Sequence, residues 1–257
     1  MTSVQMDPRL RARRIEVMRL QGRRRLRLVS LLLVGSIAVA VGWWIATESP
    51  LLDVDQVRVE GAVRTPVDAV LDQADIERGE ALVEVKLDEA ELAIAGLPWI
   101  DTVQSRRGLD GVVSIDITER TPVAAVPGRA GWLLVDFDGR VLAATKEPGP
   151  GVLTIDGTRW NVEPGAWIGE SALDSIELAA SLPDTIRSDV ESIRSEETTL
   201  DLMLRSGGRI ELGGTDDLES KLVAALTVLR EADTTCLDRL DVRAPSVPVL
   251  TRLANCS

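Results

Sequence analysis

The chain has 257 residues, a formal net charge of −12, and neither histidine nor tyrosine. That composition removes histidine general bases, Ser-His-Asp and Cys-His nucleophile pairs, and the commonest zinc ligand. Aromatic residues are only 3% of the chain, too few to offer stacking faces for bases, so no nucleic-acid partner is expected.

Charge is divided sharply along the chain. Between Arg9 and Arg27 the arginines face only Asp7 and Glu16, and the remainder is strongly acidic. From Leu28 to Thr47 there is no charged residue, and a helix of roughly 20 apolar residues is what a hydrocarbon core of about 30 Å requires. The sequence therefore predicts a basic cytoplasmic tail over 1–27 and a transmembrane helix over 28–47, with Trp43 and Trp44 at the far interface. Ala38-Val39-Ala40 offers a small-x-small cleavage pattern, but the apolar run continues beyond it, which favours a retained single-pass anchor over a removed signal. Residues from about 50 onward then lie outside the cytoplasm.

The exported part suits two small folded units. Val54, Val57 and Val59 mark a strand that Gly61 ends. Thr65-Pro66 predicts a helix start with Thr65 as cap and Asp68 in the first turn. A second helix is predicted from Asp88 as N-cap, with Glu91 three residues on and Leu92 and Ile94 among its apolar positions, ending at Gly96 before Pro98. Two alternating strands follow, turning at Gly108–Gly111, whose Asp-Gly step favours positive φ. On the second of them Val113, Ile115 and Ile117 share one face. Glu119 and Arg120 stand at its end, and Pro122 removes a donor and stops the ladder.

Beyond this point the pattern predicts a hairpin turning at Asp136–Gly139, a loop at Lys146–Gly151 and a helix over Ala172–Ser181. Adjacent strands are expected in "DVESIRSE" and "TTLDLMLR", then a turn at Ser206–Gly208. A helix with Thr215 or Asp216 as N-cap and Leu222, Leu226 and Leu229 on one face follows. Asp136 and Asp138 read as turn residues and not as half a calcium loop, because the remaining ligands of such a loop are missing. Gly207-Gly208 and Gly213-Gly214 lack the residues of a phosphate cradle. No side chain has the partner of an activated nucleophile, so no catalytic, metal or cofactor site is expected.

The order strand, helix, helix, strand, strand, ending in "ITERTPVA", resembles the POTRA domain of the FtsQ/DivIB family of bacterial cell-division proteins. "GWLLVDFDGRVLA", "GGRIELGGTDDLESKLVAALTVL" and the closing "LDRLDVRAP" are similar to that family's β domain. The resemblance implies an α+β architecture: a single transmembrane helix, a POTRA domain over 51–120, a mostly antiparallel β domain with two helices over 121–244, and a C-terminal tail over 245–257. It implies a non-enzymatic scaffold of the cytoplasmic membrane, gathered at the division septum. Such a scaffold would hold FtsB/DivIC-like and FtsL-like partners that regulate septal peptidoglycan synthesis, and it would need no cofactor. It also marks Glu119, Arg120 and Pro122 as an interdomain junction.

By the same resemblance, a partner strand is expected to add to the closing segment, through Leu240, Val242, Arg243, Ala244, Val247 and Val249, with a free backbone edge at Asp241–Ala244. Cys236 and Cys256 both fall in the exported part, where disulfides persist; they either pair or stand as two separate thiols. The competing functions are a POTRA-containing transport or envelope-assembly component, against which the absence of a long run of alternating membrane strands argues, and an anchored hydrolase, for which no site is legible.

Overall fold

The computed structural model describes residues 29–44, 53–196, 199–232 and 234–254. They divide into two compact units: residues 1–57, 76–85 and 107–113, and residues 58–75, 86–106 and 114–257.

In the first unit, residues 29–44 form a helix, α1, whose side chains are exposed throughout. Its sixteen residues rise about 24 Å. Among the described residues no helix is long and apolar enough to cross a membrane; Leu28 and Ile45–Thr47 of the predicted span, and the arginine-rich tail, lie outside the described residues. The same unit contains a small tied knot of backbone. The N–H of Val54 donates to the Glu80 carbonyl at 2.8 Å, that of Gly79 to Val54 at 2.9 Å, and that of Asp55 to Gly111 at 2.8 Å. Val54, Leu82, Val85 and Val113 are buried here, and the Arg107 guanidinium donates to the Val85 carbonyl.

A three-stranded sheet has the order β1-β3-β2, built from β1 (Gln56–Glu60), β2 (Ile100–Arg107) and β3 (Val112–Glu119). Gly111 takes φ +79° in the turn between β2 and β3, as its Asp-Gly step allows. Along β3, Val113, Ile115 and Ile117 are buried and the alternate residues are not, the signature of a strand that covers a core with one face. In the second unit, α2 (Val67–Ala74) packs on α3 (Leu87–Ala95). Both helices begin without a side-chain cap. Thr65 is not the N-cap of α2, because Pro66 precedes its first residue. Likewise Lys86 precedes α3, and Asp88 lies inside its first turn.

The second unit also holds a nine-stranded sheet of order β12-β11-β10-β9-β8-β7-β4-β5-β6. Its strands are β4 (Ala124–Pro127), β5 (Trp132–Val135), β6 (Val141–Thr145), β7 (Leu153–Asp156), β8 (Val190–Glu196), β9 (Thr199–Leu204), β10 (Arg209–Gly213), β11 (Leu237–Asp241) and β12 (Val249–Arg252). Five neighbouring pairs are antiparallel and three are parallel: β4 with β7, β7 with β8, and β10 with β11. Parallel neighbours need crossovers. α4 (Leu173–Ser181) and the single turn α5 (Asp184–Arg187) make the one from β7 to β8, and α6 (Leu218–Glu231) the one from β10 to β11. α5 is a helix beyond the two expected.

A continuous apolar cluster beneath this sheet includes Val135, Ile155, Ile176, Ile193, Leu202, Ile210, Leu222 and Leu240. α6 lays Leu218, Leu222 and Ala225 on it. Asp217, not Thr215 or Asp216, stands at the start of α6, in a left-handed conformation with φ 52°. The buried Lys221 ammonium donates to the Gly214 carbonyl at 3.0 Å and pairs with Asp216 at 3.3 Å.

Candidate functional site: the Arg120 junction and the closing sheet edge

β3 ends in two side chains with opposite duties. The Glu119 carboxylate accepts three successive backbone N–H groups, from Val63 at 3.0 Å, Arg64 at 2.9 Å and Thr65 at 2.7 Å. These donors precede α2, so a carboxylate from a distant strand anchors the chain where a local cap was expected. Burial by itself would raise the Glu119 carboxyl, but the three N–H groups outweigh it and hold it below the usual carboxylate range.

Arg120 turns the other way. Its N–H donates to the Trp99 carbonyl at 2.7 Å and its Nε to the Ile100 carbonyl at 2.9 Å. One terminal nitrogen pairs with Asp136 at 2.5 Å and Asp138 at 3.1 Å, and the other reaches Asp101 at 3.4 Å. Its side chain is 13% exposed and that of Asp136 6%, whereas Asp138 is 57% exposed, so the Asp136 pair is the one shielded from water. Burial opposes the Arg120 charge, yet the hydrogen bond and charge of Asp136 hold it above its ordinary value.

The acceptors are organised by the β5–β6 hairpin. Asp136 spends its second oxygen on the N–H of Arg140 at 2.7 Å, closing the turn on itself, and Gly139 takes φ +82°. A Cβ at Gly139 would lie 2.9 Å from Ile168 Cγ2 and 3.0 Å from Leu173 Cδ2, so glycine is required for space as well as for φ. Arg140 then reaches the end of α3, donating to the Gly96 carbonyl at 2.8 Å and the Leu97 carbonyl at 3.3 Å. A cation suits the orphan carbonyls of a helix C-terminus. The Trp167 ring receives both cations, with Arg120 at 6.0 Å and Arg140 at 5.8 Å from its centroid. Two arginines, three aspartates and one indole thus join the β2–β3–α3 part of this unit to the β5–β6 hairpin. Pro122 lies in the short segment between β3 and β4 and ends neither strand by itself.

The closing segment differs from expectation. β11 is not an edge: β10 pairs with it in parallel on one side, and β12 pairs on the other through Asp241↔Val249 and Leu240↔Leu250. The Val242 N–H is also used, donating to the Glu211 carbonyl at 3.0 Å. The free backbone edge expected at Asp241–Ala244 is therefore replaced by the outer edge of β12. Leu240 and Val242 are 0% exposed and belong to the core, out of a partner's reach. Arg243, Ala244, Val247 and Val249 are exposed, the first paired to Asp241 at 2.6 Å. That hydrogen bond and charge hold the Asp241 carboxyl below its usual range. Cys236, just ahead of β11, is disulfide-bonded, and Cys256 lies outside the described residues.

A family model for the FtsQ-type POTRA domain matches residues 52–120, and one for the C-terminal part of cell division protein FtsQ/DivIB matches residues 124–243. The cell division protein FtsQ of Streptomyces coelicolor is 30% identical over 226 residues, covering 81% of this chain and 82% of the relative. The chain belongs to the FtsQ/DivIB family. The FtsQ of Corynebacterium glutamicum is 26% identical over 209 residues, covering 80% of this chain and 88% of its own. A solved extracytoplasmic domain of DivIB from Geobacillus stearothermophilus is 17% identical, covers 45% of this chain and 99% of that domain, and superposes with a TM-score of 0.32.

Arg120 is thus the last residue of the FtsQ-type POTRA match, and its carboxylate partners Asp136 and Asp138 belong to the FtsQ/DivIB C-terminal match. Glu119 and Arg120 were visible in the sequence as a charged strand end. Asp101, Arg140 and Trp167 were not. Nothing local distinguishes Asp101 from any exposed strand residue, and the Asp136–Arg140 turn explains itself without a distant cation. The only signal pointing outward was a hairpin that carries two acids where one closes the turn.

Proposed function

We propose that this FtsQ/DivIB family member is a non-enzymatic scaffold of the divisome. Its apolar stretch over 28–47, behind an arginine-rich tail, anchors it in the cytoplasmic membrane, with the N-terminus inside and the folded domains outside. It gathers at the septum and holds FtsB/DivIC-like and FtsL-like partners that regulate septal peptidoglycan synthesis. The observation that carries the reading is β12: a four-residue strand that ends the nine-stranded sheet, paired on one side only, with Val247 and Val249 exposed beside it. An unpaired strand edge accepts a partner strand through main-chain hydrogen bonds, and neighbouring apolar side chains select it. Pro245 and Pro248 lack N–H groups and confine the augmentation to Val249–Arg252.

The test is binding of the full-length chain to an FtsB-type ectodomain, combined with fluorescent tagging in cells. Replacing Val247 or Val249 by Asp should weaken binding at least tenfold with the unfolding temperature unchanged, and the tagged parent should gather at midcell. Parental affinity in both variants puts the interface elsewhere, and uniform membrane fluorescence through the cell cycle removes the division role.

A further inference from the structure

The parallel trio β4-β7-β8 inside a mostly antiparallel sheet creates a feature that strand addition at β12 does not use. Where parallel strands end together and a helix follows one of them, the carboxyl ends leave a crevice, the usual position of a small-molecule site in open sheets. A cavity of about 270 Å³ lies there. Val126 and Pro127 end β4, Ile155 and Asp156 end β7, and Ser195 is near the end of β8, all at its lining. The opposite wall is Ser171, Ala172 and Ser175, at the start of the crossover helix α4, which packs on all three strands.

Two properties of the lining point to a ligand. Ser175 is 0% exposed and its hydroxyl has no hydrogen-bond partner, which is costly in a folded protein unless something occupies the space beside it. Asp156 accepts from the Ser192 hydroxyl at 2.7 Å, which orients its carboxylate at the strand end. The second property is Trp160. Its indole borders this cavity and also a neighbouring one of about 340 Å³, whose lining includes Trp132, Asn161 and the cations Arg129 and Lys146. The ring is set closely against Gly169, where a Cβ would meet it at 2.8 Å, so the indole is held in place as a partition between two hollows.

A carboxylate, several hydroxyls and a flat indole within one small hollow match a ring that presents hydroxyls at its rim and C–H groups on its face. Hydroxyls both donate and accept, which is what Asp156, Ser175 and Thr158 together require. A nucleotide would need cations in the inner cavity, and the lining contains none. A purely apolar ligand would leave the Ser175 hydroxyl unsatisfied. We propose that the cavity at the ends of β4, β7 and β8 binds a glycan, with one pyranose residue lying against Trp160.

The experiment uses the full-length chain in a detergent without a sugar headgroup, titrated by calorimetry with the tetrasaccharides of N-acetylglucosamine and of glucose. Saturable binding of at least one is expected, with Kd on the order of 1 mM or tighter. Asp156→Asn and Trp160→Phe should each weaken it at least tenfold while the unfolding temperature stays near that of the parent, and Val249→Asp should leave it unchanged. Absence of binding by both sugars overturns the proposal. So does binding that survives both cavity variants, or binding of free glycine in preference to either sugar. Because the readout is independent of β12, failure here leaves the partner-binding reading intact.

Discussion

Replacing Arg120 by Ala removes the cation that, among the described residues, the buried Asp136 carboxylate faces, leaving it the Arg140 N–H. Removing one partner of a buried ion pair costs about 3–5 kcal/mol, because the other charge is stranded. The pairs with Asp138 and Asp101 involve side chains 57% and 46% exposed, so each adds no more than about 1 kcal/mol. The Nε–Ile100 hydrogen bond adds about 1 kcal/mol. Since Asp136 stands at a turn that water can reach once the guanidinium is gone, the low end applies, and a loss of about 3–4 kcal/mol is expected. For a fold of this size that lowers the melting temperature by roughly 6–16 °C. Arg120→Lys keeps a charge near Asp136 but loses the fork, and should cost about 1–2 kcal/mol. The decisive variant is Arg120→Met with Asp136→Leu, which removes both charges and should recover most of the loss. Urea unfolding of the parent, the three variants, and Arg120→Met and Asp136→Leu each alone measures the coupling. If Arg120→Ala costs under about 1 kcal/mol, or if the double variant is as unstable as the sum of the singles, Arg120 is not the organiser of this junction.

Three further outcomes are expected. Glu119 is held below the ordinary carboxylate range, so its stabilisation is present above its unfolded value and is lost as pH falls through the lower folded value. Glu119→Gln should accordingly be less stable than the parent at pH 7, with the gap closing under acid; a gap independent of pH refutes the anchoring by charge. Cys236 and Cys256 are proposed to pair. Labelling of unreduced, unfolded protein should find no free thiol, and their replacement by Ser should cost about 3 kcal/mol for a loop of about 20 residues. The anchor is proposed to be retained, so the intact mass of membrane-extracted protein should include residues 1–40, and a species beginning at Val41 would show removal of a signal.

Much of the architecture is local and was therefore legible. The alternation of Val113, Ile115 and Ile117, the Asp-Gly step at Gly111, the Asp136–Gly139 turn and the apolar face of α6 are each decided within a few residues, by side-chain period and by which residues tolerate positive φ. The helix starts were placed one or two residues off: Thr65 and Asp88 have the chemistry of caps, yet α2 begins after Pro66 and α3 after Lys86, neither with a side-chain cap, while Glu119, more than 50 residues away, holds the N–H groups of Val63, Arg64 and Thr65 just ahead of α2. The sheet edge was misplaced similarly. Leu240 and Val242 have the alternation of any half-buried strand, and no pattern within "LDRLDVRAP" tells whether one neighbour or two will pair with it. That depends on the chain returning after Pro248 to lay β12 alongside, which is a matter of long-range pairing. The parallel trio β4-β7-β8, and the cavity at its end, arise the same way. Most strands were legible in the sequence alone, whereas β12 within the expected tail over 245–257, the order of strands, the shielding of Arg120 with Asp136, and the edge left open were decided only by the tertiary structure, because register and burial are set by partners that local composition does not name.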